Sequence, residues 1–391
     1  MCLARLSGNR VFCYTLAMIS QKQLAEVLSK YDLSKLTIGV LGGHSALDVC
    51  RGAKKYGFRT LVVAQKGREK TYSQYYATRD GRGCVDEVLV VEKFGDIVGL
   101  QEQLRAKNVI FVHNRYFWVY CDFEKIENDF LVPMYGTREA VKLEERNVPG
   151  NQYEILARAG IRMPKIFASP RDIDRLVIVK VNEATRKYER AFFIASNYNE
   201  YVAESERRIQ AGEIDRRDLE SATIEEYILG AQVNVNYFYS VMNSELEIMG
   251  TDMRRQTNLD GILRLPAWEQ ALIPASHQKA IRIETGHIAV TVKESLLEKF
   301  FRAGEDFVNT MKLQVPPGMI GPFALQGAVN TDDGRENFFV FDVSMRIPGS
   351  PGTAFTPYSG YLWGDSMSYG ERIAKEISEA EMAGKLRSIL T

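Results

Sequence analysis

The sequence predicts a two-part α/β and α+β protein, an N-terminal parallel sheet followed by a larger domain built on antiparallel strands. Three observations predict it. Apolar β-like runs alternate with helical stretches between residues 36 and 112, the pattern of parallel crossovers. Later runs follow one another as antiparallel-type strands and hairpins. The chain has 391 residues, room for two or three domains at about 150 residues each.

Composition narrows the function. Hydrophobic residues are 45% and charged residues 26%, as in an ordinary globular protein rather than a disordered one. The 50 basic and 50 acidic residues cancel, so no bulk charge draws the chain to nucleic acid or anionic lipid. No apolar run approaches the ~18 residues of a membrane span. Cys2, Cys13, Cys50, Cys84 and Cys121 are an odd, widely spaced set without C-x-x-C, neither a disulfide framework nor a zinc site. Cys50 reads as a small core residue, with a catalytic thiol the weaker alternative. Cytoplasmic small-molecule chemistry is the expectation, with neither nucleic acid nor membrane as partner.

The elements follow in order. Residues 1–17 (MCLARLSGNRVFCYTLA) fit no periodic pattern and lack the apolar core of a secretory signal. Met18 is read as the natural start, or the leader as a loosely held arm. Ser20 and Gln23 form a capping-box pattern ahead of Leu24, Val27, Leu28 and Tyr31 at helical spacing. Leu36–Leu41, Thr60–Ala64, Glu87–Val91 and Val109–Val112 read as strands, with helices over Ala46–Tyr56 and Leu100–Lys107. Gly42-Gly43-His44-Ser45 leaves the first strand where parallel sheets bind ligands. It is neither a G-x-G-x-x-G loop nor a P-loop, but Ser45 can cap the next helix, whose N-terminus suits an anion. His44 is either a turn histidine or a ligand contact.

After Pro149 come a helix (Asn151–Ala159), the buried-type strand Leu176–Val181, the charged stretch Asn182–Arg190 and a second β run, Ala191–Ala195. A polar helix leads to the strand Thr223–Leu229, then to strands Val233–Val241 and Glu245–Met249. Leu296, Leu297, Phe300, Phe301, Phe307, Val308 and Met311 mark an amphipathic helix. Phe323–Val329 and Asn337–Val343 read as a hairpin through Asp332-Asp333-Gly334, and Ser368 with Glu371 opens the last helix.

Three constellations carry chemistry. Lys180 lies inside LVIVKV, where a charge needs a partner. It is either an edge-strand lysine reaching water or a phosphate-gripping cation backed by a mobile loop. Glu225-Glu226-Tyr227-Ile228 can offer backbone groups to adenine and a carboxylate to ribose, or be merely a solvated acidic pair. Alternation puts Asp342, Ser344 and Arg346 on one strand face, with Gln326 across the hairpin. An oxygen row beside an arginine suits magnesium bridging triphosphate oxygens, although a half-exposed strand alternates as well. Pro348-Gly349-Ser350-Pro351-Gly352-Thr353 can approach a ligand closely.

Together these residues resemble the ATP-grasp superfamily, within it the archaeal-type formate-dependent 5-formaminoimidazole-4-carboxamide ribonucleotide synthetase family. The landmarks are GVLGGHSALD (39–48), NDFLVPMYGTR (128–138), IEEYILG (224–230), NLDGILRLPA (258–267), VPPGMIGPFALQ (315–326) and FDVSMR (341–346). The resemblance implies a pre-ATP-grasp domain over 18–140 and an ATP-grasp domain over 141–391, its small lid part at about 165–230. It implies ATP, Mg²⁺ or Mn²⁺, formate activated as formyl phosphate, and attack by the amine of an imidazole carboxamide ribonucleotide. By position it gives His44, Tyr116, His287 and Arg346 to the substrates, Lys180, Glu225, Glu226, Ile228 and Gln256 to ATP, and Gln326 and Asp342 to the metal. The loop 182–190 lacks the family's glycines, and Arg186, Lys187 and Arg190 stand in as point charges. Tyr116 stands for a serine, Gln256 for a glutamate and His287 for an asparagine, the pattern of a paralogue with a shifted carboxylate or amine, or of a nucleotide-binding protein without turnover. The long C-terminal segment offers a surface for a homo-oligomer.

Overall fold

Thr37, Ile38, Gly39, Val40 and Leu41 are all buried, because the strand they form lies in the middle of a parallel sheet covered on both faces. The computed structural model describes residues 19–43, 45–146, 148–181, 192–257, 259–274, 282–332 and 334–391. The leader 1–17, Met18, His44 and the charged stretch 182–190 therefore lie outside the described residues. The first sheet comprises β1 (Thr37–Leu41), β2 (Arg59–Gln65), β3 (Glu87–Val91), β4 (Val109–Val112) and β5 (Met134–Tyr135), in the order β3-β2-β1-β4-β5. All its pairs are parallel. The chain builds outward from β1 on one side and then returns to its other side. The loops after β1 and β4 thus leave neighbouring strand ends at the point where strand order reverses, the place where open sheets of this kind hold ligands.

Four short strands form a second sheet: β6 (Ile166–Phe167), β7 (Val177–Lys180), β8 (Phe192–Ala195) and β9 (Thr223–Glu226), in the order β6-β9-β7-β8. Strand β7 is interior, so the edge-strand reading of Lys180 is corrected. Strand β9 ends at Glu226 rather than Leu229.

The third sheet holds β10 (Ala231–Ser240), β11 (Glu245–Thr257), β12 (Arg282–Val290), β13 (Gly321–Asp332) and β14 (Arg335–Ser344). Its order is β12-β11-β10-β13-β14, antiparallel throughout. Strand β11 is longer than expected, and β12 was not expected at all, since Gly286 and the polar residues around it break any apolar run. Val233, Val235, Tyr237, Phe323, Leu325 and Val340 face the helix Glu294–Gln314 and form one core with its Phe300, Phe307 and Met311. Period two sends Asn234, Asn236 and Gln326 to the opposite face.

The capping box at Ser20 and Gln23 forms, and Ser368 accepts from the Glu371 amide. Ser45 does not cap: its φ is +70°, its side chain makes no cap bond, and its hydroxyl donates to the Pro348 carbonyl at 2.8 Å. Among the described residues no helix is long and apolar enough to cross a membrane.

The last long helix, Tyr369–Met382, lies against the helix Ala46–Lys55 at a glycine contact. A Cβ on Gly52 would sit 2.1 Å from the Gly370 carbonyl carbon, and one on Gly370 would sit 2.0 Å from the Asp48 carbonyl oxygen. The Gly370 amide donates to the Asp48 carboxylate at 2.9 Å. Gly52→Ala is expected to cost about 1–3 kcal/mol of stability in urea denaturation, because backbone must move to admit the methyl; an unchanged midpoint would contradict this packing.

Candidate active site

Lys180 is 5% exposed. Its ammonium is paired with Glu225, and it also donates to the Phe341 carbonyl at 3.5 Å. The second Glu225 oxygen accepts from the Tyr153 hydroxyl at 2.8 Å, which in turn accepts from Arg146 Nε at 3.1 Å. Burial, against the pull of Glu225, leaves Lys180 below the ordinary lysine range. Glu225 is therefore no solvated glutamate, and both its oxygens are engaged inside the protein. Glu226 is the half-exposed member of the pair: it meets Arg175 at 3.2 Å and accepts from the Lys165 amide at 3.3 Å. Beyond it, Tyr227, Ile228, Gly230, Gln232 and Asn330 help to line an open cleft of ≈ 410 Å³.

Asp252, Asn234, Gln326 and Asp342 are successive cross-strand partners on β11, β10, β13 and β14, so directly opposed side chains form one polar row. The Gln326 amide oxygen accepts from Arg254 Nη2 at 2.8 Å, and its nitrogen donates to Ser344 Oγ at 3.0 Å. Burial would raise Asp342, but the charges of Arg146, Lys180 and Arg254 outweigh it and hold the carboxyl below its ordinary range. Lys180, Gln326 and Asp342 are thus brought together from two sheets, with Arg146 and Arg254 beside them.

Arg346 lies past the end of β14, and its guanidinium pairs with Glu144 at 3.2 Å. The same carboxylate takes Arg115 at 2.8 Å and the Met345 amide at 2.7 Å. Burial lowers Arg346 and raises Glu144, while Arg346 Nε is a buried donor without a partner among the described residues. His287 Nδ1 bonds the Asp252 carboxylate. Gln256 lies in β11, but its side chain is outside the described residues.

At the strand-end crevice, Gly43 has φ +138° and a Cβ there would lie 2.3 Å from the Tyr116 ring. Tyr116 is therefore pressed onto Gly43, and it packs on Phe94 and Tyr120 at centroid distances of 5.2 and 4.9 Å. Ser45 bonds Pro348, and Ser350 Oγ donates to Asn236 Oδ1 at 2.9 Å. The small-residue loop thus joins the crevice to the polar row. Asn234, Asn236, Asp252, Arg254, Glu144, Arg146 and Tyr153 were not singled out from sequence. The polar alternation of Asn234 and Asn236 inside an apolar run was a usable signal, whereas Glu144 and Tyr153 gave none. Among the described residues no three His, Cys, Asp or Glu side chains gather as a metal-holding group.

His113, at the end of β4, is buried with Nε2 2.8 Å from the Arg138 carbonyl, and burial pulls it from 6.5 down to about 4. A depressed folded value means that the unfolded chain binds the proton first. Stability is expected to be intact above pH 6.5 and to fall through the window down to about pH 4, by roughly 3 kcal/mol from this group. Urea denaturation across that window checks it, and His113→Gln with the same pH slope would contradict it.

A domain of unknown function (DUF1297) matches residues 200–391, and a protein of unknown function (DUF1246) matches residues 38–167. The chain is 40% identical over 377 residues to the 5-formaminoimidazole-4-carboxamide-1-(beta)-D-ribofuranosyl 5'-monophosphate synthetase of Methanopyrus kandleri, covering 96% of this chain and 100% of that protein. It is 37% identical to the synthetase of the same name from Methanocaldococcus jannaschii, with 96% and 100% coverage. Among solved structures it is similar to an IMP biosynthesis protein PurP from Thermococcus kodakaraensis, at a TM-score of 0.65 and 27% identity, covering 90% of this chain and 100% of that one. An N5-carboxyaminoimidazole synthetase from Staphylococcus aureus complexed with ADP shares the fold at a TM-score of 0.56 and 13% identity, over 89% of this chain and 79% of that one. Identity of this order over nearly the whole length leaves one conclusion: the chain belongs to the 5-formaminoimidazole-4-carboxamide-1-(beta)-D-ribofuranosyl 5'-monophosphate synthetase family.

Proposed function

We propose that this chain is an ATP-dependent carbon–nitrogen ligase that joins formate to the amine of 5-aminoimidazole-4-carboxamide ribonucleotide through formyl phosphate, in IMP biosynthesis. The observation that carries this reading is the cluster of Lys180, Arg146 and Arg254 around Asp342 and Gln326. Phosphoryl transfer needs little covalent help from a protein; it needs positioning and positive charge where the equatorial oxygens develop theirs. Lys180 supplies that charge, with Glu225 as the residue that holds it in place before nucleotide arrives. Glu226, Ile228 and Gln256 belong to the nucleotide side, and the cleft beside Ile228 suits the base. Tyr116 at the strand-end crevice, with Arg346 and His287, belongs to the substrate side, and His44, which lies outside the described residues, is assigned there by its position in the sequence alone. The domain division at 18–140 and 141–391, with its lid at about 165–230, is part of the same reading.

Mg²⁺ or Mn²⁺ suits the donor set. Such ions take hard oxygen ligands and often use one or two carboxylates completed by substrate phosphates. Asp342 and Gln326 offer a carboxylate and an amide oxygen from paired strands, and Gln326 would exchange its bond from Arg254 for the ion. When bound, the ion would neutralise phosphate charge. A second reading, the same chemistry on another carboxylate or amine, is favoured by the Tyr116 ring pressed onto Gly43.

Release of ADP from ATP with formate and the ribonucleotide tests the proposal. Asp342→Asn is expected to lower turnover by about 10²–10³-fold; a fully active variant would remove the metal assignment. ADP release with a different acid–amine pair alone would support the second reading.

A further inference from the structure

Arg146 stands in the loop before the helix Gln152–Arg158 and is held by both backbone and side chain. Its carbonyl oxygen accepts from Asn151 Nδ2 at 3.1 Å, and its Nε donates to the Tyr153 hydroxyl at 3.1 Å. That hydroxyl is fixed in turn, because it donates to Glu225 at 2.8 Å. Gln152 Oε1 accepts from the Val343 amide at 2.7 Å. The first turn of the helix thus ties β9 to β14 and keeps Arg146 at the side of Asp342. A guanidinium has further donors on its two terminal nitrogens. Among the described residues, Arg146 Nη1 and Nη2 take no hydrogen bond or ion pair.

The charge of that fork falls on Asp342. Burial would raise this carboxyl, and of the three cations that outweigh burial Arg146 acts most strongly, ahead of Lys180 and Arg254. The other two are already engaged, Lys180 by Glu225 and Arg254 by Gln326. Arg146 and Asp342 balance each other through charge alone, so both stay available to new partners. For Asp342 to ligate a hard cation its charge must be free, and an arginine cannot turn neutral to make way. Arg146 therefore opposes a divalent cation that approaches without a polyanion, since like charges repel strongly where the dielectric is low. With a polyanion present the sign reverses, because a planar fork fits two phosphate oxygens.

We propose that Arg146 keeps the place of the metal at Asp342: it balances this carboxylate until nucleotide arrives, then gives its fork to the triphosphate. Metal and triphosphate are thereby admitted together, and metal alone is held off. This rests on the ligase reading above and adds to it an order of loading. No covalent bond changes; Arg146 exchanges one anionic partner for another while Tyr153 keeps its Nε. The exchange leaves Asp342 protected from stray cations and puts positive charge where the phosphoryl oxygens develop theirs.

Mn²⁺ is the probe for the test, because its paramagnetic resonance signal reports the free ion. In the full chain, Arg146→Met is expected to bind Mn²⁺ alone about tenfold more tightly than wild type. The same variant is expected to bind Mn²⁺ with a non-hydrolysable ATP analogue at least about tenfold more weakly. Damage to the site would weaken both, so the opposite signs separate this role from a merely structural one. Adding Asp342→Asn to Arg146→Met is expected to abolish the gain for Mn²⁺ alone. Arg146→Lys keeps the charge without the fork, and tests the exchange should Arg146→Met fold poorly. It is expected to leave Mn²⁺ alone within about twofold and to weaken the analogue complex. Three results would overturn the role of Arg146 and leave the ligase reading standing: no gain for Mn²⁺ alone in Arg146→Met, a gain that survives Asp342→Asn, or an Arg146→Lys that binds the analogue as wild type does. A wild-type chain that binds no analogue with Mn²⁺ present would overturn the ligase reading, and this inference with it.

Discussion

The site depends on one buried ion pair. An ammonium as enclosed as that of Lys180 would cost several kcal/mol without a counter-charge, and Glu225 on the neighbouring strand β9 supplies it. The pair is not isolated. Tyr153 and Arg146 extend it toward Asp342, and the Lys180 bond to the Phe341 carbonyl ties the small sheet to the edge of the large one. Around Asp342 the positive charges outweigh the negative, enough to hold its carboxyl ionised against burial. Such a surplus is costly in an empty protein and useful when a polyanion arrives.

The large sheet makes that surplus possible by dividing its residues. Alternate positions on β10, β13 and β14 bury Val235, Leu325 and Val343 in the core, while Asn234, Gln326 and Asp342 form a row on the other face. The apolar half provides rigidity and the polar half chemistry. The parallel sheet contributes the crevice at the ends of β1 and β4. Two bridges join it to the row: the bonds of Ser45 and Ser350 on one side, and Arg115 with Arg346 on Glu144 on the other.

Much of this was legible in the chain. Continuous apolar runs placed β1 to β4 of the parallel sheet to within a residue, whereas the two-residue β5 was not foreseen. The hairpin was legible but its register was not: counting back from the turn pairs Gln326 with Phe341, and a bulge between Gln326 and Gly327 brings it opposite Asp342. Lys180 stood out because a lysine amid valine and isoleucine demands a partner, but its partner could not be read: Glu225 is remote in sequence and looked like half of a solvated pair. Strand β12 was missed because Gly286, His287 and charged neighbours hide its alternation. Asp252 was missed because its contacts with Asn234, Asn236 and His287 exist only once β10, β11 and β12 stand side by side. Arg346 shares the alternation of Asp342 in sequence, yet the strand ends first and its charge is taken by Glu144, a contact set by tertiary packing alone.

The most direct measurement is a calorimetric titration of a non-hydrolysable ATP analogue, with Mg²⁺, into wild type, Lys180→Met, Asp342→Asn and the double variant. If the lysine and the carboxylate serve one triphosphate, each single change weakens binding and the two losses are not additive. Losses that add to within about 0.3–0.5 kcal/mol, as for independent sites, or unchanged affinity in Lys180→Met, would contradict a shared site.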